Sequence, residues 1–179
     1  MRVFLGALFA LLVVIGVSSA SGLKDENILM AKPDGYKTAF TERKNGVLVS
    51  EMIPEGENLD NWQDMLTLQV HFSRRLDLDY LEAFFTSSSI PLCEESDGVL
   101  VGKGMENGYE YGMFIHSCST TPTTKSEIVL TKVVIGNDSS YFVIKSWRSE
   151  ADQAEIVKWS RYMKGVQVCD SRIVERKCP

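Results

Sequence analysis

The fold is decided between residues 127 and 147, which read EIVLTKVVIGNDSSYFVIKSW. Two runs rich in β-branched and aromatic residues, 127 to 135 and 139 to 147, flank the short segment Gly136-Asn137-Asp138. Valine, isoleucine, tyrosine and phenylalanine are enriched in strands, whereas glycine, asparagine and aspartate are enriched in turns. The stretch therefore predicts two antiparallel strands joined by a turn.

Further strands are predicted on the N-terminal side of this pair. Residues 98 to 104 and 109 to 117 have the composition of two preceding strands of the same meander, and residues 65 to 72 of another. Still closer to the N-terminus, strands at 36 to 41 and 47 to 53 flank Asn45-Gly46, the dipeptide most typical of a two-residue hairpin turn. Most of the chain is thus expected in antiparallel sheet.

Two helices are predicted beside the sheet. Asp77 can cap a helix from 78 to about 88, and residues 149 to 152, with Ser149 as acceptor, can cap a second helix that runs to about 163. Their inward-facing residues would be Leu78, Leu81, Phe85, Ile156, Trp159 and Met163. The predicted fold class is α+β, a single domain with a largely antiparallel sheet flanked by helices.

An export signal precedes this domain. Arg2 supplies a positive charge, residues 3 to 17 are almost unbroken in their apolar character, and Ser18-Ser19-Ala20 offers the small side chains that a signal peptidase needs. We expect cleavage between Ala20 and Ser21, which leaves one domain from 21 to 179. A membrane anchor is the alternative, but the apolar run is shorter than the roughly 20 residues that span a bilayer. The sequence predicts a secreted or periplasmic protein with no membrane span.

The charge balance argues against a nucleic-acid partner. The chain has 19 Lys and Arg against 24 Asp and Glu, a formal net charge of −5. The densest basic run, 172 to 177, is interrupted by Glu175. Proteins that bind a polyanion need clustered basic residues.

Four cysteines, at positions 93, 118, 169 and 178, predict two disulfides, because an even count in an exported chain is typical of a disulfide framework. Three connectivities are possible. We expect Cys93 to pair with Cys118 around a strand-rich segment, and Cys169 to pair with Cys178 across a short terminal loop. A zinc site would need closer cysteine spacing.

The two histidines, His71 and His116, are the candidate bases or metal ligands, and each lies inside a predicted strand. Neither belongs to a G-x-S-x-G or H-E-x-x-H motif. A catalytic base needs a partner within hydrogen-bond reach. We therefore expect strand histidines that serve no catalytic or metal site.

The acidic residues Asp77, Asp79 and Glu82 could form a carboxylate pair or a calcium loop. The sequence lacks the ligand spacing of such a loop, whereas acidic residues at a helix start complement the helix dipole. We interpret them as a helix start, and the sequence predicts neither a cofactor nor a metal.

The three tryptophans, Trp62, Trp147 and Trp159, are large enough to line a binding groove. Burial of aromatic side chains contributes strongly to the stability of a domain of this size. We expect all three in the core.

Several dispersed fragments carry a resemblance. They are Pro33-Asp34-Gly35-Tyr36, the turn 51 to 57 followed by Asn61-Trp62, Gly108-Tyr109-Glu110, Ser139-Ser140-Tyr141 and Val168-Cys169-Asp170. They resemble small secreted proteins of bacteria, of uncharacterised function, whose architecture is similar to the Mog1/PsbP-like α/β/α sandwich. The resemblance implies that fold and an accessory or binding role, and it assigns no functional residue.

The resulting prediction is an exported non-enzymatic accessory or binding protein with an envelope or extracellular protein partner. The polar segments 103 to 108 and 119 to 126 are the expected contact loops, since recognition residues usually lie on loops of a rigid scaffold. The alternative is a small secreted hydrolase that uses His71 or His116 with a serine or carboxylate brought close by the fold.

Overall fold

The computed structural model describes residues 23–90, 93–119, 126–148 and 150–179. The predicted signal peptide, with its cleavage site between Ala20 and Ser21, lies outside the described residues. The strands are β1 (Glu26–Leu29), β2 (Tyr36–Lys44), β3 (Val47–Pro54), β4 (Asp64–His71), β5 (Ser96–Glu106), β6 (Tyr109–Cys118), β7 (Glu127–Ile135), β8 (Ser140–Trp147) and β9 (Gln167–Asp170). The helices are α1 (Leu78–Phe85), α2 (Gln153–Gly165) and the short 3-10 helix Val174–Arg176.

Seven strands form one antiparallel sheet in the order β2-β3-β4-β8-β7-β6-β5. The sheet consists of two meanders, β2-β3-β4 and β5-β6-β7-β8. They are joined by the pairing of β4 with β8, in which Leu68 lies opposite Val143. β8 is the central strand, so the stretch 127 to 147 does form a hairpin at the middle of the sheet. β1 and β9 pair with each other in a separate two-stranded antiparallel sheet.

The predicted α+β fold with an α/β/α sandwich is wrong. The described chain has nine strands in two antiparallel sheets and only two α-helices, of 8 and 13 residues, so the fold is sheet-rich. One reason is that α1 is too short to cover a face and lies mainly against β5 and β6, at one end of the sheet. The other is that β1 and β9 occupy space beside α2. These four-residue strands are too short for an alternation pattern to reveal.

The two faces of the large sheet bury different clusters. Alternate residues of β8 point to opposite faces: Tyr141, Val143 and Trp147 pack with α2, β1 and β9, whereas Phe142 packs with Leu81 of α1. Aromatic and aliphatic side chains thus fill both faces of the central strand. The prediction that all three tryptophans lie in the core is confirmed, since each is at most 7 % exposed.

Asparagine-glycine turns join two of the hairpins. Asn45 and Gly46 have φ values of 51° and 78°, and Asn107 and Gly108 have 47° and 74°. Positive φ at both central residues is the mark of the tight turn that matches strand twist. The first hairpin was predicted. The second turn corrects the expectation of a contact loop at 103 to 108, because residues 103 to 106 belong to β5.

Aspartate side chains cap both helices. Asp77 accepts a hydrogen bond from the Tyr80 amide, as predicted. Asp152 accepts from the Glu155 amide at the start of α2, and the predicted cap residue Ser149 lies outside the described residues. No helix in the described part of the chain is long and apolar enough to cross a membrane.

Disulfides join Cys93 to Cys118 and Cys169 to Cys178, which is the predicted pairing. The first fixes the segment that precedes β5 to the end of β6. The second closes the tail that follows β9 around the 3-10 helix. Disulfides persist in oxidising compartments and are rare in the cytosol, so both bridges are compatible with an oxidising environment.

Candidate functional site

The two histidines lie apart in the sheet, His71 at the end of β4 and His116 in β6, with β8 and β7 between them. His71 is 5.1 Å from the Phe142 ring and His116 stacks on Phe85 at 5.5 Å, measured between ring centroids. Burial lowers the pKa of both imidazoles, and Arg74 lowers that of His71 further.

Neither histidine shows the pairing that catalysis requires. The Nδ1 atoms of His71 and His116 are buried and have no hydrogen-bond partner among the described residues. A general base needs a second group that orients it. The geometry therefore gives the hydrolase alternative no support.

The acidic residues near α1 are engaged locally. Asp77 caps the helix, while Glu82 and Asp79 form ion pairs with Lys103 of β5 at 2.7 Å and 3.5 Å. Within the described ranges, no group of three or more potential metal ligands comes together. Of the two predicted contact loops, residues 120–125 lie outside the described part of the chain.

A buried lysine is the centre of the strongest constellation. Lys145 in β8 is 0 % exposed and is ion-paired with Asp64 at the start of β4. The Tyr36 hydroxyl donates to Asp64 Oδ1 at 2.5 Å and accepts from Lys145 Nζ at 3.3 Å. Three strands that are distant in sequence therefore bring an ammonium, a carboxylate and a phenol into one network.

Aromatic rings enclose this ammonium. Lys145 Nζ lies 4.4 Å from the Trp159 ring centroid, 5.0 Å from that of Trp147 and 5.6 Å from that of Tyr36. Aromatic faces attract cations at distances of up to about 6 Å. Trp159 is itself held by α2, because its Nε1–H donates to Glu155 at 3.1 Å. We call Lys145, Asp64, Tyr36, Trp147 and Trp159 the lysine cage.

Burial dominates the electrostatics of the cage. It lowers the pKa of Lys145 below that of a free lysine, while the carboxylate of Glu155 acts in the opposite direction. Burial also raises the pKa of Tyr36, and the carboxylate of Glu155 acts in the same direction, because both disfavour a phenolate. A titratable group that is perturbed by burial beside a cleft is a candidate functional residue.

An open pocket lies directly outside the cage, between the segment that leads into β2 and helix α2. Its volume is about 460 Å³. Its floor is aromatic and its rim carries charges of both signs, from Ala31, Lys32, Pro33, Asp34, Tyr36, Lys158, Trp159 and Tyr162. We call it the aromatic pocket. Tyr36 and Trp159 belong to both structures, so the pocket and the ion pair share two side chains.

The pocket walls are fixed to each other. The Tyr162 hydroxyl donates to the Ala31 carbonyl at 2.5 Å, and Lys32 Nζ donates to the Tyr36 carbonyl at 2.7 Å. These bonds tie the segment before β2 to α2 and to β2. The pocket is therefore preformed, which is the usual condition of a ligand site.

The lysine cage was not predicted from the sequence. A signal was present: Lys145 and Lys132 each interrupt a strongly apolar strand in the stretch 127 to 147, and a lysine is almost never fully buried unless it is paired. Lys132 has a separate task, because its Nζ donates to the Met163 and Val166 carbonyls at the end of α2. Only the fold shows which carboxylate and which rings surround Lys145.

A scan against models of known protein families finds no match, and a search of curated proteins likewise finds none. The resemblance to secreted bacterial proteins stays a prediction. Any functional assignment must therefore come from the site itself.

Proposed function

We propose that the protein is an exported, non-enzymatic accessory or binding protein, secreted or periplasmic, that holds a ligand in the aromatic pocket. The observation that carries the proposal is the pocket itself, with Tyr36 and Trp159 at its floor and the buried ion pair behind them. Ligand sites are concave, mainly apolar and few per protein, with a small number of polar groups that fix orientation.

The position of Lys145 favours binding over turnover. Its side chain is fully buried, and its ammonium lies within 5.6 Å of three aromatic ring centroids, so it is not presented to a molecule in the pocket. The lysine and tyrosine side chains that line the pocket already have partners, as Lys158 does with Glu155 at 2.8 Å. Lysine retains further donor hydrogens after one such bond. These donors suit recognition of a polar group on an otherwise apolar ligand.

The cellular setting rests on the leader and the disulfides. Residues 1 to 20 have the composition of a signal peptide, and the two disulfides are compatible with an oxidising compartment. N-terminal sequencing of the exported protein should begin at Ser21. A protein that retains Met1 and stays in the cytoplasm with free thiols would refute the setting.

Binding can be tested with the anionic aromatic dye 1-anilinonaphthalene-8-sulfonate, whose fluorescence rises in apolar pockets. We expect saturable binding to the folded protein, with a shift of the Trp159 indole N–H signal in a two-dimensional NMR spectrum. Tyr162→Ala should weaken binding at least fivefold, because it removes a pocket wall.

The matched control is Tyr80→Ala, since Tyr80 is 67 % exposed on α1 and lies away from the pocket. This variant should bind the dye as the wild type does. Equal loss in both variants, or dye binding that leaves the Trp159 signal unmoved, would place the dye elsewhere and contradict the proposal. Ester hydrolysis by the wild type that His71→Ala or His116→Ala abolishes would overturn the non-enzymatic assignment.

A further inference from the structure

The two edges of the seven-stranded sheet differ in how well they are shielded. β2, at one edge, reads YKTAFTERK and is interrupted by a bulge between Thr38 and Phe40. Charged side chains and bulges are devices that keep an edge strand from pairing with another chain. The β2 edge therefore carries its own protection.

β5, at the other edge, exposes apolar side chains instead. Val99, Val101 and Met105 are 54 %, 48 % and 65 % exposed. Within the described ranges no further strand pairs with its outer side. An edge with free backbone N–H and C=O groups and exposed apolar residues is a template for an added strand. A bulge between Leu100 and Gly102 limits the regular part of this edge to the N-terminal half of β5.

An aliphatic groove adjoins that half of the strand. Val99 lines it together with Ile115 of β6, Ile128 of β7 and Ile156 of α2, and its volume is about 240 Å³. Alternate side chains of a strand project to the same face. A strand added beside β5 would thus place one long apolar side chain next to Val99, at the mouth of the groove.

The opposite face of the same edge is closed. A Cβ atom on Gly98 would lie 2.0 Å from the Phe85 carbonyl oxygen, because the end of α1 lies against this glycine. Ser96 is likewise held from that side by the Ser87 carbonyl at 3.0 Å. An added strand would therefore be recognised through side chains on the α2 face alone.

Acidic side chains lie at the groove and just before β5, and they favour a binding segment that carries positive charge. Asp97, at the groove, and Glu94 and Glu95, just before β5, are all exposed. Opposite charges across an interface steer association and fix its register. A segment with basic residues beside its apolar ones complements this edge.

We propose that the β5 edge accepts an extended segment of another protein as an added strand, with an apolar side chain in the aliphatic groove and a basic residue facing Asp97. The groove and the aromatic pocket both adjoin α2, but they share no lining residue, and β5 lies at the edge of the sheet opposite β2. The two proposals therefore fail separately.

The test uses a fluorescein-labelled peptide, Lys-Thr-Leu-Thr-Val-Thr-Lys with blocked ends, in which the lysines and the apolar residues share one face of the strand, and the purified exported protein. Fluorescence anisotropy should show saturable binding, and amide signals of residues 97 to 101 should shift in NMR spectra. A peptide with glutamate in place of both lysines should bind at least tenfold more weakly. A peptide N-methylated at alternate amides should lose binding, because it cannot form the strand ladder.

Matched variants assign the edge. Val99→Glu should weaken peptide binding at least tenfold, whereas Phe40→Glu, at an exposed position of the β2 edge, should leave it unchanged. Both variants should retain wild-type far-UV circular dichroism and dye binding in the aromatic pocket. Equal binding to wild type and Val99→Glu, or undiminished binding of the N-methylated peptide, would overturn the proposal.

Sedimentation velocity separates the proposed occupant from a second copy of the chain. We expect a monomer at all concentrations up to those used for anisotropy. A dimer that Val99→Glu dissociates and Phe40→Glu does not would show that the edge pairs with itself, and it would overturn the assignment to a basic segment of another protein.

Discussion

Lys145 and Asp64 form an ion pair on a diagonal across two neighbouring strands. Asp64 lies opposite Trp147 in the pairing of β4 with β8, so its carboxylate reaches back by two residues to the Lys145 ammonium. Diagonal neighbours on one face of a sheet lie within reach of long side chains. The side chain of Asp64 is 24 % exposed and that of Lys145 is fully buried, so the pair is desolvated on the lysine side only.

Removal of the carboxylate should destabilise the protein strongly. Asp64→Asn leaves a buried ammonium without its counter-charge, and breaking a buried pair in this way costs about 3–5 kcal/mol. Urea unfolding at pH 7 would measure the loss. The double variant Asp64→Asn/Lys145→Met should recover most of it, because a well-packed apolar residue needs no partner. If the double variant is no more stable than Asp64→Asn alone, the ion pair is not what Asp64 supplies.

The stability of Asp64→Asn should rise with pH. Burial lowers the pKa of Lys145 in the folded protein, so between that value and about 10.5 the unfolded chain binds more protons than the folded one. Stability then increases as pH is raised from 7 toward 10, relative to the double variant, which lacks the amine. A flat difference between the two variants over this range would contradict the assignment of the effect to Lys145.

Glu26 is expected to anchor the small sheet to the large one. Its carboxylate accepts from the amides of Asn137, Asp138 and Ser139 at 2.5, 3.2 and 3.2 Å, and from the Tyr141 hydroxyl at 3.1 Å. Hydrogen bonds to a charged group contribute about 1.5–3 kcal/mol. Glu26→Ala should therefore lower the unfolding free energy by about 2 kcal/mol and speed hydrogen exchange in β1.

Glu42→Ala is the control for this experiment, since Glu42 is exposed on the edge strand β2. Its effect should stay within about 0.5 kcal/mol, as for most surface substitutions. Similar losses in both variants would mean that Glu26 contributes no more than a surface charge.

Two glycines of β5 should respond oppositely to the same substitution. A Cβ at position 98 meets the Phe85 carbonyl oxygen at 2.0 Å, whereas at Gly102 nothing lies within 4 Å. Gly98→Ala should destabilise by about 1–3 kcal/mol, as overpacking does. Gly102→Ala should be neutral or slightly stabilising, because alanine reduces the freedom of the unfolded chain. Thermal unfolding of the pair would reveal whether α1 is held against β5.

Peptide mapping without reduction should recover Cys93 linked to Cys118 and Cys169 linked to Cys178. The double variant Cys169→Ala/Cys178→Ala should lose about 2–4 kcal/mol of stability. A peptide that joins Cys93 to either tail cysteine would show a different connectivity, and four alkylatable thiols in the exported protein would show that neither bridge forms.

The elements that the sequence predicted are those with local signals. Asn45-Gly46 identifies its hairpin because few dipeptides tolerate two positive φ values, and Asp77 identifies the start of α1 because its side chain satisfies an amide three residues away. The predicted fold class was wrong because some elements are determined by contacts between residues distant in sequence. β1 has no pattern beyond four residues, and its position depends on partners distant in sequence, such as Asp170, which lies opposite Glu26 in the β1–β9 pairing.

The candidate site was less predictable still. His71 and His116 drew attention as chemical types, yet the structure leaves both without a catalytic partner in the described chain. Lys145, which lies within an apolar strand, was not predicted as a functional residue. Its meaning depends on Asp64 and Trp159, which only the strand order and the position of α2 bring together. Composition can point to a lysine that must be buried, but it cannot name the groups that surround it.

Because β1 pairs with β9, the small sheet can form only when the chain extends through β9. The described backbone partner of β1 is β9, which is synthesised much later. Ile28 can therefore pair with Val168 only after nearly all of the described chain has been made. Long-range pairing of this kind is slow, because the whole intervening chain must be ordered first. A ribosome product that stops before residue 167 would keep a loose, protease-sensitive N-terminal strand. The small sheet thus distinguishes finished molecules from truncated ones.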